Sequence, residues 1–425
     1  MRILLAVHQF FPDFRAGTET LTRRTAEELQ RRGHQVWILT AGPHDPGRPA
    51  WRREQWQGLE LIRFNPPPEA SPFLGGVLQS YWRPELEAGF TALLRDLQPD
   101  LLHVFHLRRH TLSLIRAAER CSVPVLASLT DYWMVCPSGQ LQFPDSYLAR
   151  RFSPPLAFLL LWLWRWFNPV LSLIPRSPFS ALKRRPLFMA QAFERFEQVL
   201  VPSQLMWSTF QEMGVSTHHF ALCPYGISLQ GLERLSTRLA WSGPEQRPLR
   251  VGFVGSFTPA KGAHVLLEAL ALMGGHQSWE AVLYGNPADD PDYWQGLKRQ
   301  AEALPQVRWG GVFASDQVFE VLASLDVLVV PSLWRENAPL IVSQAKASGL
   351  PLLLSDVEGM ADQVVSGVNA LLFPPGDSRA LAAHLSQFAA DPGVLAAMVN
   401  RGGAARTIGD YGDQLEQIYA RLERL

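Results

Sequence analysis

One segment in the last third of the chain carries residue types that suit a ligand site. A buried-strand pattern at 326–330 runs into a short polar loop that holds Glu336. Pro339 then begins a predicted helix that ends before Gly349, because Pro suits the first turn of a helix and Gly the position after its end. A carboxylate between a parallel strand and a helix N-terminus lies where open α/β sheets bind ligands. The segment therefore predicts a ligand with phosphates and hydroxyls, as sugar nucleotides have.

Size and composition indicate a globular protein of two domains. The chain has 425 residues, which is more than one ordinary hydrophobic core accommodates. Its formal net charge is +0, so nucleic acid is not an expected partner. The 3 cysteines are too far apart for a metal site, and their odd number does not suit a disulfide framework. The apolar run at the N-terminus is too short for a signal peptide. We therefore expect a cytoplasmic protein.

Strands and helices alternate in both halves of the sequence, which predicts two parallel sheets. A polar stretch at 229–248 separates the halves. In the first half we predict strands at 3–7, 36–40, 100–106 and 123–129 and helices at 19–32 and 112–119. In the second half we predict strands at 249–255, 279–284, 307–309, 326–330 and 352–355 and helices at 261–272, 295–303 and 339–348.

Residues 147–188 interrupt the first half with a basic and apolar insertion. It contains no acidic residue. Its cations are Arg150, Arg151, Arg165, Arg176, Lys183, Arg184 and Arg185. Its apolar run at 156–164 is too short for a membrane-spanning helix, which needs about 20 residues. Tryptophans beside arginines suit a membrane interface, so the insertion predicts a possible peripheral membrane contact. The alternatives are a buried helix of the first domain and a contact with a partner protein.

Several short motifs occur in order along the chain, at 8–12, 16–19, 129–133, 136–137, 201–203, 224–227, 255–262 and 331–351. In this order and spacing they resemble the family-4 retaining glycosyltransferases, or glycosyltransferase group 1. The resemblance covers nearly the whole chain. It implies the α/β fold called GT-B, in which two Rossmann-like domains with parallel sheets face one another across a cleft. We expect an N-terminal acceptor-side domain at 1–226, a nucleotide-sugar-binding domain at 227–407, and a C-terminal helix at about 408–425 that packs back on the first domain.

The resemblance also implies roles for particular residues. Glu336, Lys261 and Asp131 are the expected catalytic residues. Glu336 would accept hydrogen bonds from donor-sugar hydroxyls, and Lys261 would neutralise the departing diphosphate. Gly17 would let a loop backbone approach the diphosphate, since a Cβ would obstruct it. Further donor contacts are expected from Thr18, Thr130, Ser256, Asn337, Ala338, Pro339, Leu340 and Gln344.

Three positions depart from the usual pattern of this family. Thr130 lies where many members carry His, Ser256 replaces a phosphate-binding Arg, and Gln344 replaces a Glu that usually binds ribose. Loss of the guanidinium is the most serious change, because charge-assisted hydrogen bonds are about twice as strong as neutral ones. Arg335, beside Glu336, is a candidate substitute.

The expected function is transfer of a sugar from a nucleoside diphosphate donor to a glycan or lipid-linked acceptor. The resemblance implies retention at the anomeric carbon, no metal, no cofactor beyond the donor itself, and a place in cell-surface polysaccharide or glycoconjugate synthesis. The three departures leave open a catalytically impaired GT-B-fold subunit that serves in binding or as a scaffold. A nicotinamide-dependent oxidoreductase is less favoured, because no G-x-G-x-x-G follows the first strand.

Overall fold

The computed structural model describes residues 1–42, 44–48, 50–68, 76–137, 139, 141, 159, 162, 178–233, 241–274 and 278–422. The chain divides into two units, one of Met1–Pro224 with Ile408–Leu425 and one of Tyr225–Thr407. Each unit encloses its own hydrophobic core. The division after Pro224 lies two residues before the boundary at 226 that the sequence suggested.

Eight strands form the sheet of the first unit. They are β1 (Arg2–Val7), β2 (Gln35–Ala41), β3 (Trp51–Trp56), β4 (Leu59–Phe64), β5 (Leu101–Val104), β6 (Val125–Ser128), β7 (Gln198–Val201) and β8 (Phe220–Leu222). Their order is β3-β4-β2-β1-β5-β6-β7-β8. All neighbours pair in parallel except β3 and β4, which form an antiparallel hairpin at one edge. The central strands are mostly apolar and almost fully buried, as in a sheet that is covered on both faces.

The helices of the first unit before the division are α1 (Gly17–Arg31), α2 (Gly76–Gln79), α3 (Glu87–Leu97), α4 (Thr111–Arg120), α5 (Pro178–Phe193) and α6 (Gln204–Glu212). The helix α1 begins two residues before the predicted start. Its apolar positions recur at helical spacing and bury Leu21 and Leu29. The short helix α4 ends at Arg120, whose side chain pairs with Glu87 of α3 at 2.7 Å.

The second unit contains a sheet of six parallel strands. They are β9 (Leu249–Val254), β10 (Trp279–Tyr284), β11 (Val307–Gly311), β12 (Val327–Val330), β13 (Leu352–Ser355) and β14 (Ala370–Phe373). The order β11-β10-β9-β12-β13-β14 is the 3-2-1-4-5-6 order of a Rossmann fold. The helices are α7 (Ala263–Met273), α8 (Pro291–Ala301), α9 (Val318–Ala323), α10 (Leu340–Ala347), α11 (Ser378–Ala390) and α12 (Pro392–Met398).

Two boundaries in the second unit differ from the prediction. Pro339 is not the first residue of a helix. It has extended backbone dihedrals, φ −65° and ψ 118°, and directly precedes α10. Lys261 does not begin α7 but ends a short 3-10 turn, Pro259–Lys261, and Gly262 separates this turn from the helix.

The C-terminal helix α13 (Ile408–Leu422) belongs to the first unit. At the exposed side of this helix, the guanidinium of Arg32, at the C-terminal end of α1, lies 2.7 Å from Asp413 and 2.6 Å from Glu416. Beneath it, the Tyr419 hydroxyl lies 2.6 Å from Nδ1 of His103 on β5. Surface ion pairs and a buried hydrogen bond therefore both hold α13 to this unit.

Most of the predicted insertion, 147–158, 160–161 and 163–177, lies outside the described residues. Residues 178–188 belong to α5, whose Phe193 is part of the core. Arg185, one of the cations counted in the insertion, does not lie at the surface. Its side chain is buried and donates to the backbone carbonyls of Trp133 and Met134. No helix in the described ranges is both long enough and apolar enough to cross a membrane.

Candidate functional site

In the second unit, the strand order reverses between β9 and β12. The loops that follow two such strands diverge and leave a crevice at the carboxyl ends of the strands, where open α/β sheets bind ligands. The loop after β9 carries Lys261, and the loop after β12 carries Glu336. The two side chains meet, because Nζ of Lys261 donates to Oε1 of Glu336 at 2.6 Å.

Glu336 is buried, with 3% of its surface exposed, and one of its oxygens collects three hydrogen bonds. The donors to Oε1 are Lys261, the Ser332 hydroxyl at 2.6 Å and the Trp334 indole N–H at 2.9 Å. No side chain or N–H among the described residues donates to Oε2. The carboxylate is therefore held in place by one oxygen and can accept hydrogen bonds from a ligand through the other.

Two glycines let backbone segments approach this loop. Gly262 has φ +71°, and a Cβ there would lie 1.9 Å from the carbonyl oxygen of Pro331. Gly359 has φ +83°, and a Cβ there would lie 1.9 Å from the carbonyl oxygen of Glu336. Both distances are far below van der Waals contact and both φ values disfavour other residues, so only Gly fits at either position.

The other donor residues predicted in this unit lie around Glu336 or on α10. Asn337 is buried and its amide donates to the Tyr225 hydroxyl at 3.3 Å. Ala338 and Pro339 form the short link to α10, which begins at Leu340. Gln344 lies one turn further along that helix, with a partly exposed side chain.

The suggestion that Arg335 substitutes for the missing phosphate-binding arginine is not supported by its contacts. Its guanidinium forms an ion pair with Glu358. An arginine that is already neutralised by a carboxylate adds less positive charge to a neighbouring site. Lys261 is likewise paired with Glu336, so each of these two cations has an acidic partner.

Ser256 lies at the position expected for that arginine, and its side chain lies beside the Asp289 carboxyl. Burial raises the pKa of Asp289, and the N–H of Phe257 and the Ser256 hydroxyl offset part of this rise. Asp290 and Asp292 have the Asp-x-Asp spacing, but the Asp290 carboxylate caps α8 by accepting the N–H of Tyr293 at 3.0 Å. Within the described ranges, no three His, Cys, Asp or Glu side chains are placed to hold a metal ion.

A second polar cluster occupies the equivalent position in the first unit, where the strand order reverses between β1 and β5. His8 follows β1, His106 follows β5 and Asp131 follows β6. The ring centroids of His8 and His106 are 4.1 Å apart. Nε2 of His106 lies 3.1 Å from Oδ2 of Asp131. Three carboxyl-end loops thus bring titratable side chains to one edge of the sheet.

Asp131 is the ligand-accessible member of this cluster. Burial alone would raise its pKa, but the adjacent His106 and the N–H of Trp133, which donates to Oδ1 at 2.9 Å, hold the pKa below its usual value. About 33% of the Asp131 side chain is exposed. A Cβ at Gly139 would lie 3.0 Å from Oδ2, so the glycine leaves room at that oxygen. A cavity of about 20 Å³, enough for one water, is lined by Asp131, His106 and Thr130 among others.

The remaining predicted residues of the first unit lie near this edge. Gly17 is the first residue of α1, and a Cβ there would meet no atom within 4 Å, so no contact in this structure requires Gly. The carbonyl of Thr18 accepts the Thr22 hydroxyl at 2.8 Å. The Thr130 hydroxyl donates to the carbonyl of Phe105 at 3.2 Å.

The sequence reasoning did not assign roles to His8, Glu19 or His106. Glu19 is fully buried, and burial raises its pKa. Nε2 of His8 lies 3.8 Å from Oε1 of Glu19, and burial together with neighbouring cations lowers the pKa of His8. A signal was present for the histidines, because His8 directly follows a predicted strand and His106 is the last residue of another.

Comparisons with known proteins agree with this architecture. The family described as Glycosyl transferase 4-like domain matches residues 16–226, and the family described as Glycosyl transferases group 1 matches residues 240–405. A GDP-mannose-dependent alpha-mannosyltransferase of Mycolicibacterium smegmatis is 25% identical over 409 residues, which cover 96% of this chain and 94% of that protein. One of the same name from Corynebacterium glutamicum is 23% identical over 386 residues, 89% of this chain and 78% of that protein.

Solved structures show the same fold. Sucrose-phosphate synthase from Thermosynechococcus elongatus has a TM-score of 0.71 at 20% identity, with 99% of this chain and 98% of that chain covered. Anabaena Alr3699/HepE in complex with UDP-glucose has a TM-score of 0.69 at 17% identity, with 99% and 100% covered. The predicted GT-B fold is thereby confirmed. With family matches over both units, the chain belongs to the family-4, group 1 glycosyltransferases and is a glycosyltransferase.

Proposed function

We propose that this glycosyltransferase moves a hexosyl group from a nucleoside diphosphate sugar to a glycan or lipid-linked acceptor, with retention at the anomeric carbon and without a metal. The product would belong to cell-surface polysaccharide or glycoconjugate synthesis. GDP-mannose is the first donor to test, because two relatives that match most of this chain are named for it. The contact between Lys261 and Glu336 at the carboxyl ends of β9 and β12 is the observation that carries the proposal.

The chemistry of this pair suits a leaving diphosphate. As the bond between the anomeric carbon and the phosphate oxygen breaks, negative charge grows on the diphosphate and the Lys261 ammonium stabilises it. Glu336 accepts hydrogen bonds from the sugar hydroxyls through Oε2 and fixes the ring. The acceptor oxygen bonds to the anomeric carbon, and its proton passes to the departing phosphate oxygen. No side-chain nucleophile is needed for this sequence of steps.

Release of nucleoside diphosphate from a panel of sugar nucleotides tests the proposal, with a membrane and glycan extract as the source of acceptor. Glu336→Ala and the closer-fitting Glu336→Gln are expected to slow release by about 100-fold or more. Glu302→Ala removes an exposed glutamate of the same unit and serves as the control. No release from any donor by the wild type would instead favour the non-catalytic scaffold alternative.

Two further measurements address the finer parts of the proposal. The anomeric configuration of the product, read by NMR, is expected to match that of the donor sugar. Activity is expected to survive treatment with EDTA, because Lys261 supplies positive charge at the site. An inverted product or a loss of activity that Mg²⁺ restores would contradict these two points.

Peripheral attachment to the inner face of a membrane also belongs to the proposal. Leu159, Trp162 and Leu187 have 49%, 46% and 67% of their surfaces exposed, which supports it. Flotation with anionic liposomes is expected for the wild type and not for a variant that lacks residues 156–167. The milder variant Leu187→Ser should float less than the wild type. Leu272→Ser alters an equally apolar side chain, exposed by 55% in the other unit, and should float as the wild type does. Equal flotation of all variants would contradict membrane attachment.

A further inference from the structure

Trp334 contacts both charged members of the pair in the second unit. Its indole N–H donates to Oε1 of Glu336 at 2.9 Å. The Lys261 ammonium lies 5.3 Å from the centre of its ring. One rigid, partly buried side chain thus reaches the carboxylate through its N–H edge and the cation through its face.

The three donors to Oε1 of Glu336 differ in how they respond to a bound diphosphate. Lys261 is a cation on a flexible stem, with 29% of its side chain exposed, so phosphate oxygens attract it away from the carboxylate. Ser332 and Trp334 are neutral and are not attracted in this way. A buried carboxylate without remaining donors would be strongly destabilised. The neutral donors can therefore hold the carboxylate while Lys261 turns toward the phosphates.

We infer that Trp334 is a positioning residue for the donor sugar. Its N–H fixes the Glu336 carboxylate with Oε2 directed at the sugar hydroxyls, and its ring keeps Lys261 beside the site until a diphosphate binds. This inference rests on the proposed function, and it gives Trp334 no contact with the substrate.

The inference separates two parts of donor affinity. A free nucleoside diphosphate lacks the sugar, so its affinity reports on Lys261 and the backbone of the site. The sugar nucleotide reports in addition on Glu336. Trp334→Phe keeps an aromatic face for Lys261 and removes the N–H together with the second ring of the indole. It is expected to leave the affinity for GDP within about twofold of wild type and to weaken that for GDP-mannose about tenfold, the size of one lost hydrogen bond to a charged group.

Trp241→Phe is the matched control. The Trp241 indole N–H donates to the carbonyl oxygen of Arg247, also at 2.9 Å, just before the amino end of β9 and so at the opposite end of the strand from Lys261. This variant loses the same kind of bond in the same unit and should change neither affinity. Ser332→Ala removes the other neutral donor without altering the ring, and a selective loss like that of Trp334→Phe is expected.

The measurement is isothermal titration of the full chain with GDP and GDP-mannose, or with another nucleotide pair that the donor screen selects. The ratio of the two affinities is not changed by a general loss of folded protein, so it distinguishes positioning from a structural role. A ratio that survives both Trp334→Phe and Ser332→Ala overturns the inference and leaves the proposed function intact. A wild type that binds no sugar nucleotide in the panel overturns both.

Discussion

His106 presents Nε2 to Oδ2 of Asp131 at 3.1 Å, while its Nδ1 accepts the backbone N–H of Arg108 at 3.0 Å. In a neutral imidazole only one nitrogen carries hydrogen, so Nδ1 as the acceptor leaves the hydrogen on Nε2. Both ring nitrogens are then occupied within the protein. His106 therefore orients the Asp131 carboxylate, and Asp131 is the side chain that a ligand can reach.

Replacing His106 is expected to change how activity depends on pH. His106 is one of the groups that lower the pKa of Asp131, so His106→Ala should raise that pKa. Since the ionised carboxylate of Asp131 is the stronger hydrogen-bond acceptor, activity should begin to fall at a higher pH as the solution is made acidic. His106→Gln keeps a donor and should retain more of the wild-type profile. Nucleoside diphosphate release measured between pH 4 and 8 tests this, and an unshifted acidic limb for His106→Ala would contradict it.

Gly359→Ala tests the close backbone contact with the Glu336 loop. The added Cβ would lie 1.9 Å from the carbonyl oxygen of Glu336, at a φ of +83°. We expect a loss of about 2 kcal/mol or more in the free energy of unfolding, together with weaker sugar-nucleotide binding. Gly296→Ala in α8 is the control, because its Cβ would meet no atom within 4 Å. That change should stabilise the protein slightly, by about 0.5–1 kcal/mol. Urea unfolding that is equal for the two variants would show that the loop shifts freely.

The sequence predicted the interior strands of the second unit well, and the reason is local, whereas the interior strands β4 and β7 of the first unit were not predicted. Buried parallel strands are short apolar runs between Gly and Pro breakers, so the predicted 279–284 and 352–355 coincide with β10 and β13. The strand β3, Trp51–Trp56, was not predicted, because it lies at an edge and has only charged and polar residues between its two terminal tryptophans. Its identity as a strand depends on pairing with β4, which local composition does not reveal.

The contacts within the sites depend on strand order. Lys261 and Glu336 are 75 residues apart; Glu336 was noticed because it follows a strand, and Lys261 through the family resemblance. That they touch requires β9 and β12 to be neighbours, which the pattern of either segment alone does not determine. The same holds for His106 and Asp131, which follow the paired strands β5 and β6. The family resemblance drew attention to Asp131, but its partner became evident only from the fold.

Asp289→Asn is expected to strengthen nucleotide binding. The Asp289 carboxyl contacts Ser256, where the family usually places a cation for phosphate, so its negative charge opposes a bound diphosphate. We expect about a fivefold gain in affinity for GDP at pH 7.5. Burial raises the pKa of Asp289, so protonation removes the repulsion as the pH falls toward that pKa, and the advantage of the variant should shrink. Asp292→Asn, an exposed aspartate of α8, is the control. Equal affinities for all three proteins would remove Asp289 from the phosphate site.

Two buried histidines are expected to make the first unit sensitive to acid. Burial lowers the pKa values of His103 and His110 to about 3. An unfolded chain binds a proton at each near pH 6.5, so the folded state binds fewer protons between pH 6.5 and 3. Stability is therefore full above pH 6.5 and falls below it, by about 1.4 kcal/mol per pH unit for each histidine. His110 packs against Phe64, with ring centroids 5.2 Å apart, so a Leu side chain should fit in its place. His110→Leu should therefore reduce the loss of stability by about 1.4 kcal/mol per pH unit. Urea unfolding at several pH values measures the slope, and an unchanged slope would contradict the assignment.

Tyr419→Phe tests the attachment of the C-terminal helix. The Tyr419 hydroxyl and Nδ1 of His103 are both buried and lie 2.6 Å apart, whereas Nε2 of His103 is 2.8 Å from the Ser128 hydroxyl. Removing the phenolic oxygen leaves a buried ring nitrogen without its partner, which costs about 1–3 kcal/mol, more than the net value of the bond itself.

The loss should fall mainly on α13, because this bond joins the helix to β5. We therefore expect faster trypsin cleavage at Arg421 and a lower urea midpoint for the first unit. The matched variant is Tyr411→Phe. The Tyr411 hydroxyl lies 3.3 Å from the Ser128 hydroxyl, and its removal leaves both His103 contacts in place. It should lose less stability, since the longer bond is weaker and no buried histidine nitrogen is left without its partner. Equal losses for the two variants would mean that the hydroxyls act through packing alone and that His103 does not fix the helix.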